Sequence, residues 1–332
     1  MPEPSAGESP TVGFVARLIS KAKDFVRSFL DLREAPWAFW CVIIFFMTDS
    51  MAYFGILTLM ESYIQKDLGV GDIVASAVVS MFTLLVTLFM IGLGTLAEKR
   101  GIRGGLLLAI LLCLVGRVAY SAGPLGGMPY WLELTLLLGG LVVVAVGEGM
   151  VQPVTYAGIK HFTSAKTSAM GYSLIYAFMN LGIIASALIS TGIRVPVQDI
   201  QAARVAGTPE PVSIWRFFAD WGISGMNAVN WALAAITAAA LLILLFGLTK
   251  GAEAKARSQN GTPPAAPLST APKKKLLERM SDYFTEGPFA NARFLFFIFM
   301  LLPVQTLFAH QWLTLPAYVL RDYSQEVADK ME

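Results

Sequence analysis

Three charged side chains lie deep inside long apolar stretches of this sequence, where an unpaired charge is costly. They are Asp49, Arg117 and Glu148. On insertion scales such a side chain costs roughly 2.5–3.5 kcal/mol at the centre of a membrane helix, so each is expected to face a partner or a wet cavity. A carboxyl group in such surroundings can load and release a proton near neutral pH, which makes Glu148 a candidate proton carrier. The alternative, that a buried ion pair only holds helices together, stays open for Arg117.

The position of each charge within its apolar stretch predicts its depth. Asp49 and Arg117 fall at about the same level, so we expect Asp49 to be the acid nearest to Arg117. Glu148 falls ~12 Å further along the helical rise, toward the side of the N-terminus. Direct pairing of Glu148 with Arg117 would then require helix tilt or a bridging water.

Neutral polar side chains accompany these charges. Gln152 follows Glu148 by one helical turn and shares its face, and Asn180 lies in the middle of a later apolar stretch. Both are interpreted either as contacts between helices or as contacts with a solute. Glycines at 139, 140, 147 and 149 predict close approach or bending of the helix that carries Glu148. With two histidines, no phosphate loop and no nucleophile elbow, the sequence predicts no enzyme, metal site or cofactor.

The elements that must position these residues are membrane helices. Hydrophobic residues make up 55% of the 332 residues and charged ones 14%, against about 25% charged in a soluble domain. A net charge of +2 provides no basic field for nucleic acid. Crossing ~30 Å of hydrocarbon takes ~20 apolar residues. Seven stretches satisfy this, at about 37–60, 73–97, 104–124, 131–156, 169–190, 224–248 and 293–317.

Charge placement predicts the orientation and the organisation of the chain. Most of the 25 lysines and arginines fall on the side of the N-terminus, which predicts a cytoplasmic N-terminus in a plasma or inner membrane. Residues 13–30 are either an amphipathic surface helix or a basic lead-in. Two connections are predicted to lack structure, an outer loop at 191–220 and a flexible linker at 251–275. The predicted domains are an N-terminal segment (1–36), a six-helix bundle (37–248), a cytoplasmic linker (249–292) and a seventh helix (293–332).

The connection after the second apolar stretch carries a recognisable motif. Residues 94–103 read Gly-Thr-Leu-Ala-Glu-Lys-Arg-Gly-Ile-Arg. They resemble the G-x-L-A-D-R-x-G-R-K signature of the major facilitator superfamily, with Glu98 in place of the aspartate. The resemblance implies an inner gate, where a carboxylate at a helix end meets cations and a helix terminus of the other bundle. The residues that carry it are Gly94, Glu98, Lys99, Arg100, Gly101 and Arg103. The alternative is an ordinary charged loop.

Three further stretches resemble the proton-dependent oligopeptide transporter (POT) family within that superfamily. Residues 176–182 resemble its fifth-helix pattern F-Y-x-x-I-N-x-G. Residues 147–153 resemble its fourth-helix pattern G-x-G-x-x-K-P, and residues 49–55 the end of its first-helix pattern E-x-x-E-R-F-x-Y-Y-G. The resemblance, together with the polar residues above, implies a substrate-binding set of Tyr53, Gln152, Tyr176, Asn180 and Gln311.

The sequence departs from the family at its charged positions. The first-helix glutamates fall on Phe46 and Asp49, the arginine falls on Ser50, and the fourth-helix lysine falls on Gln152. In the family those charges couple proton movement to peptide binding. We therefore hypothesise that Asp49, Arg117 and Glu148 form a relocated charge network.

The resemblance implies two six-helix bundles with the binding site between them and alternating access by rocking. We interpret this chain as the first bundle plus the first helix of the second, an incomplete carrier that needs a C-terminal bundle from the same chain or a partner subunit. The expected function is proton-coupled symport of a small peptide or peptide-like solute, with protons, the solute and the bilayer as partners. The alternatives are a facilitator of another organic solute without proton coupling and, less favoured, a seven-helix receptor.

Overall fold

The computed structural model describes residues 29–98, 100–125, 128–164, 166–259 and 290–313. Regular structure among these residues is helical, which confirms the predicted all-α class. The chain divides into two compact units, residues 1–268 and 269–332, and each is described by itself. Nearly all of the segment 13–30 lies outside the described residues.

The first unit contains eight α-helices among its described residues. They are α1 (Trp37–Leu68), α2 (Asp72–Glu98), α3 (Gly101–Ala122), α4 (Tyr130–Phe162), α5 (Ser168–Ala206), α6 (Arg216–Asp220), α7 (Gly225–Leu242) and α8 (Lys250–Gln259). A π-helical turn at Ile243–Gly247 extends α7. In the part of the chain described, six helices are long and apolar enough to cross a membrane, namely α1 to α5 and α7 with its extension. Each of them coincides with one of the first six predicted stretches.

Several helices run past the predicted ends. Helix α1 continues to Leu68 and stops at Gly69, whose φ of 66° places it in the left-handed region. Helix α4 has 33 residues and contains Pro153. The added turns at the C-terminal ends of α1 and α4 contain polar residues, so hydropathy alone does not predict them.

The tightest packing in the first unit joins α3 to α4. A Cβ atom on Gly140 would lie 2.6 Å from the Tyr120 nitrogen, and one on Gly116 would lie 2.7 Å from the Gly140 carbonyl oxygen. Only glycine allows the two backbones to approach this closely. The prediction of close approach also holds for Gly147 and Gly149, but it is wrong for Gly139, where a Cβ atom would meet nothing within 4 Å.

The connection between α5 and α7 is more ordered than predicted. Helix α5 spans 39 residues despite Pro196 and ends at Gly207, with a left-handed φ of 66°. Arg204 then pairs with Glu210 and Asp220, and its donation to the carboxylate holds the pKa of Glu210 below its usual range. The prediction of a loop with little structure at 191–220 is therefore wrong. Helix α5 continues through these polar residues to Ala206, and the ion pairs of Arg204 hold the chain that follows it.

The predicted flexible linker begins with a helix. Helix α8 occupies Lys250–Gln259, and its Ala256 and Arg257 are buried. Glu253 and Arg257 pair across one turn at 3.3 Å. The prediction is wrong for these residues because the segment packs against α1, α3 and α4. Residues 260–275 lie outside the described part.

The second unit contains α9 (Ala292–Leu313), a helix of 22 residues with Pro303 inside it. Its bounds match the start of the predicted seventh stretch at 293–317. Residues beyond 313 lie outside the described part.

Candidate functional site

The structure brings the three charges that the sequence places inside apolar stretches into direct contact. The Arg117 Nη1 atom lies 3.3 Å from Asp49 Oδ1, and Nη2 lies 2.5 Å from Glu148 Oε1. The side chains of Asp49, Arg117 and Glu148 are 2%, 0% and 5% exposed. We call these three residues the charge triad.

Two further side chains complete the surroundings of the charge triad. Arg117 Nη1 also donates to the Thr237 hydroxyl, which in turn donates to the Leu233 carbonyl oxygen at 2.8 Å. The Cys113 thiol donates to Glu148 Oε1 at 3.6 Å. The sequence offers a signal for Cys113, which precedes Arg117 by one turn, but none for Thr237, a single threonine in an alanine-rich helix.

The expected depth difference between Asp49 and Glu148 is wrong. Both α1 and α4 extend at their C-terminal ends beyond the predicted stretches. Asp49 therefore lies in the first half of α1, and Glu148 lies just past the midpoint of α4. Because α4 runs antiparallel to α1, these two positions fall at a similar depth in the bundle. Arg117 lies late in α3, and its long side chain points back toward the start of its helix, as helical side chains do. No bridging water is needed to join the three groups.

The charge triad contains two acids but only one cation. One guanidinium neutralises one carboxylate, so a second ionised carboxylate would leave a net negative charge buried in the bundle, which is strongly unfavourable. The oxygens of Asp49 and Glu148 and the Cys113 sulfur lie within 4.8 Å of one another. Proximity of that kind lets two carboxyl groups share one proton. A metal ion would have the right ligand types here, but the Arg117 cation already occupies the space between the two acids.

A second feature is a group of tyrosines between α4 and α5. Tyr156 lies 6.3 Å from Tyr176 and 6.1 Å from Tyr172 between ring centroids, and the Tyr172 hydroxyl donates to the Tyr156 carbonyl oxygen at 3.3 Å. Tyr176 is 52% exposed. Sequence reasoning missed Tyr172, although it precedes Tyr176 by one turn of the same helix.

The other expected substrate residues lie around this group. Asn180 is exposed and donates to the Tyr176 carbonyl oxygen at 2.8 Å, so its amide oxygen is available on the surface of α5. Gln152 is half-buried on α4. Tyr53 is half-buried one turn after Asp49, and its ring lies 6.3 Å from that of Phe82. The Gln311 side chain lies outside the described part.

The signature loop at 94–103 is only partly described. Arg100 precedes α3, and Gly101 starts that helix with a left-handed φ of 80°. Among the described side chains, a carboxylate from α8 meets the start of α3. Glu253 accepts hydrogen bonds from the backbone nitrogens of Ile102 at 3.0 Å and Arg103 at 3.3 Å. Lys99 and the side-chain position of Glu98 lie outside the described part, as does the burial of Gly94.

Sequence reasoning missed Glu253 because it placed this residue in a flexible linker. An acidic residue three positions after Lys250 at the start of a short charged helix carries no separate signal. Its contact with α3 depends on how α8 folds back on the bundle, which a single sequence does not report.

Comparison with known proteins gives a family match and several relatives. The sequence profile of the Major Facilitator Superfamily matches residues 2–185 and 39–325. The protein "Peptide transporter family 1" of Drosophila melanogaster is 29% identical over 155 residues, which cover 44% of this chain and 20% of that protein.

Two solved structures of a mutant peptide transporter POT are also similar. The one in complex with sulfate shares 15% identity, covers 86% of this chain and 49% of its own, and has a TM-score of 0.49. The one in complex with alafosfalin shares 17% identity over 78% of this chain and 46% of its own, also with a TM-score of 0.49. The chain thus spans about half the length of these transporters and matches a fifth of the Drosophila relative.

Proposed function

This chain belongs to the Major Facilitator Superfamily, and we propose that it forms the N-terminal part of a proton-coupled symporter for small peptides or peptide-like solutes. The carrier works by alternating access in a membrane that α1 to α5 and α7 cross. The match to a Drosophila peptide transporter supports the solute class.

The observation that carries the proposal is that the charge triad has two acids for one cation. With one proton bound, the Asp49 and Glu148 carboxyls together hold one negative charge, which Arg117 balances at 3.3 and 2.5 Å. Loss of that proton leaves a second negative charge buried in the bundle. Movement between the two access states is therefore coupled to proton binding at this pair.

The solute contacts this bundle along α4 and α5. Tyrosine rings offer apolar faces with polar tips, and the exposed Asn180 offers an amide oxygen to a peptide N–H group. Tyr53 and Gln152 extend this surface toward the charge triad, so a bound solute and the proton site lie on neighbouring turns of α1 and α4. Gln311 contributes from the second bundle.

The inner gate is proposed at the start of α3. The signature residues Gly94, Glu98, Lys99, Arg100, Gly101 and Arg103 belong to it, and Glu253 fastens α8 onto the same helix end. The N-terminus is cytoplasmic, as the distribution of lysine and arginine favours, and the membrane is the plasma (inner) membrane. The domain limits at 36, 248 and 292 are part of the same proposal.

The binding site is completed by a C-terminal bundle, supplied by the same protein or by a partner subunit. The match to only a fifth of the Drosophila relative's length supports this. The first step is to sequence the gene and transcript past the codon for Glu332 and to use the resulting full-length protein.

A facilitator without proton coupling is the second candidate. The observation that favours it is that both terminal nitrogens of Arg117 have partners on other helices, as in an ion pair that only holds helices together. The two candidates differ in how uptake responds to a proton gradient.

The test is uptake of labelled dialanine into liposomes that contain the full-length protein. The proposal predicts accumulation above the outside concentration under an inward proton gradient, and its collapse when a protonophore is added. Equilibration to the outside concentration, unaffected by the protonophore, would contradict proton coupling and support the facilitator.

A further inference from the structure

A row of polar side chains continues from the charge triad toward the end of the bundle where α1 finishes. Thr237, which binds Arg117, and Asn230 lie two turns apart on one face of α7. Asp49 and Asp67 lie on one face of α1, about 27 Å of helical rise apart. We call the following group the polar seam: Tyr63, Asp67, Tyr120, Ser224, Asn227 and Asn230.

Hydrogen bonds link the residues of the polar seam near its outer end. The Ser224 hydroxyl donates to Asp67 Oδ2 at 2.5 Å and accepts from the Asn227 backbone nitrogen at 3.0 Å. Deeper in the bundle, the Tyr63 hydroxyl donates to the Tyr120 carbonyl oxygen at 3.3 Å. Asp67 is half-buried, so the polar seam opens to the surface at this residue.

The middle of the polar seam contains polar atoms that the described protein does not pair. Asn227 is 0% and Asn230 1% exposed, yet neither oxygen nor nitrogen of either amide makes a hydrogen bond among the described residues. The hydroxyl of the fully buried Tyr120 is unpaired in the same sense. Asn230 lies beside the Tyr63 hydroxyl without hydrogen-bond geometry.

Five unpaired polar atoms so close together are unfavourable in a dry interface, because each loses the hydrogen bonds that it would make to water in the unfolded chain. Buried waters satisfy such groups, and a site with several polar partners holds them well. An apolar residue would be more stable at 227 or 230 if the interface were only structural.

We propose that the polar seam binds a file of ordered water and is the route by which protons reach the charge triad from the end of the bundle where α1 finishes. Ser121 continues the file inward, since its hydroxyl donates to the Arg117 carbonyl oxygen at 2.9 Å. The remaining distance between Asn230 and Thr237 is about 10 Å of helical rise, which a few waters span. Proton delivery rests on the proposed function, whereas hydration of the polar seam does not.

Hydration is tested by X-ray footprinting of the full-length protein in nanodiscs, because radicals formed from bound water label the side chains beside it. The expected result is labelling of Tyr63 and Tyr120 despite their burial, with Phe45, which is equally buried in the apolar core, unlabelled. Absence of label on Tyr63 and Tyr120 in the wild-type protein would overturn the proposal and needs no variant.

Variants separate the water file from proton delivery. Asn227→Leu and Asn230→Leu should lose the labelling of Tyr63 and Tyr120 and lose gradient-driven accumulation of dialanine, while counterflow exchange remains. Thr155→Val, which removes a buried hydroxyl of α4 away from the polar seam, should match the wild type. Persistent labelling, or persistent accumulation, in both leucine variants would overturn the proposal. If Tyr63 and Tyr120 of the wild-type protein are labelled but the protein shows no gradient-driven uptake, the proposed function and the proton route are both refuted. Only the hydration of the polar seam would then remain.

Discussion

Arg117 is the residue on which the buried charges depend. It is fully buried and contacts an acid on each of two other helices. Removing one partner from a buried ionic group leaves the others uncompensated, which is far more damaging than replacing the whole group with neutral residues. The charge triad therefore predicts a specific pattern of non-additivity.

We expect Arg117→Leu to lower the free energy of unfolding by about 3–5 kcal/mol. The triple variant Asp49→Asn, Arg117→Leu, Glu148→Gln should recover most of that loss, because it leaves no charge unpaired. The measurement is SDS-induced unfolding of the purified protein in mixed micelles. Equal losses in the single and the triple variant would mean that the three side chains do not act as one electrostatic unit.

At this scale the sequence indicated the charged groups but not their neighbours. Asp49, Arg117 and Glu148 stand out because ionisable residues are rare in apolar stretches. Thr237 and Glu253 have no such signal, since a threonine is common in membrane helices and a glutamate is common on a polar segment. Their roles follow from which helices pack together, which depends on long-range contacts.

At the scale of elements, the contact between α3 and α4 sets the distance between Arg117 and Glu148. We predict that Gly140→Ala destabilises the protein by about 1–3 kcal/mol, since the new Cβ atom would meet backbone that cannot move aside. Gly139→Ala is the matched control, because its Cβ atom would meet nothing within 4 Å. Thermal unfolding in detergent compares the two, and similar midpoints would contradict the packing argument.

Helix α8 should depend on the bond between Glu253 and the start of α3. Replacing the carboxylate by an amide removes its attraction to the helix N-terminus, worth about 0.3–1 kcal/mol when exposed and up to ~2 kcal/mol when partly buried. Glu253→Gln is therefore expected to increase amide hydrogen exchange in 250–259. Lys255→Gln, an exposed change on the same helix, should leave exchange as in the wild type. Unchanged exchange in Glu253→Gln would show that α8 is held by apolar packing alone.

The first six membrane helices were predictable because hydropathy reports the hydrocarbon core directly. Helix ends were not, since α1 and α5 continue through polar residues until Gly69 and Gly207 end them. The unpredicted extensions of α1 and α4 were enough to misplace Glu148 in depth. Helix α8 was missed because its composition is that of a linker.

For the whole molecule, we propose that the charge triad links the binding of a proton to a conformational change. The triad lies within one bundle, between α1, α3 and α4, with Thr237 of α7 beside it. A change in its protonation would alter how these helices attract one another, and we propose that a solute bound along α4 and α5 responds to the same helices. This link is the central claim, and it concerns Glu148 above all.

The most direct measurement compares two modes of dialanine transport by Glu148→Gln in liposomes, using the full-length protein. The account predicts that gradient-driven accumulation is lost while counterflow exchange stays near the wild-type rate, since the amide mimics the protonated carboxyl but cannot release a proton. Thr155→Val on the same helix should retain both modes. Accumulation that persists in Glu148→Gln would contradict the account.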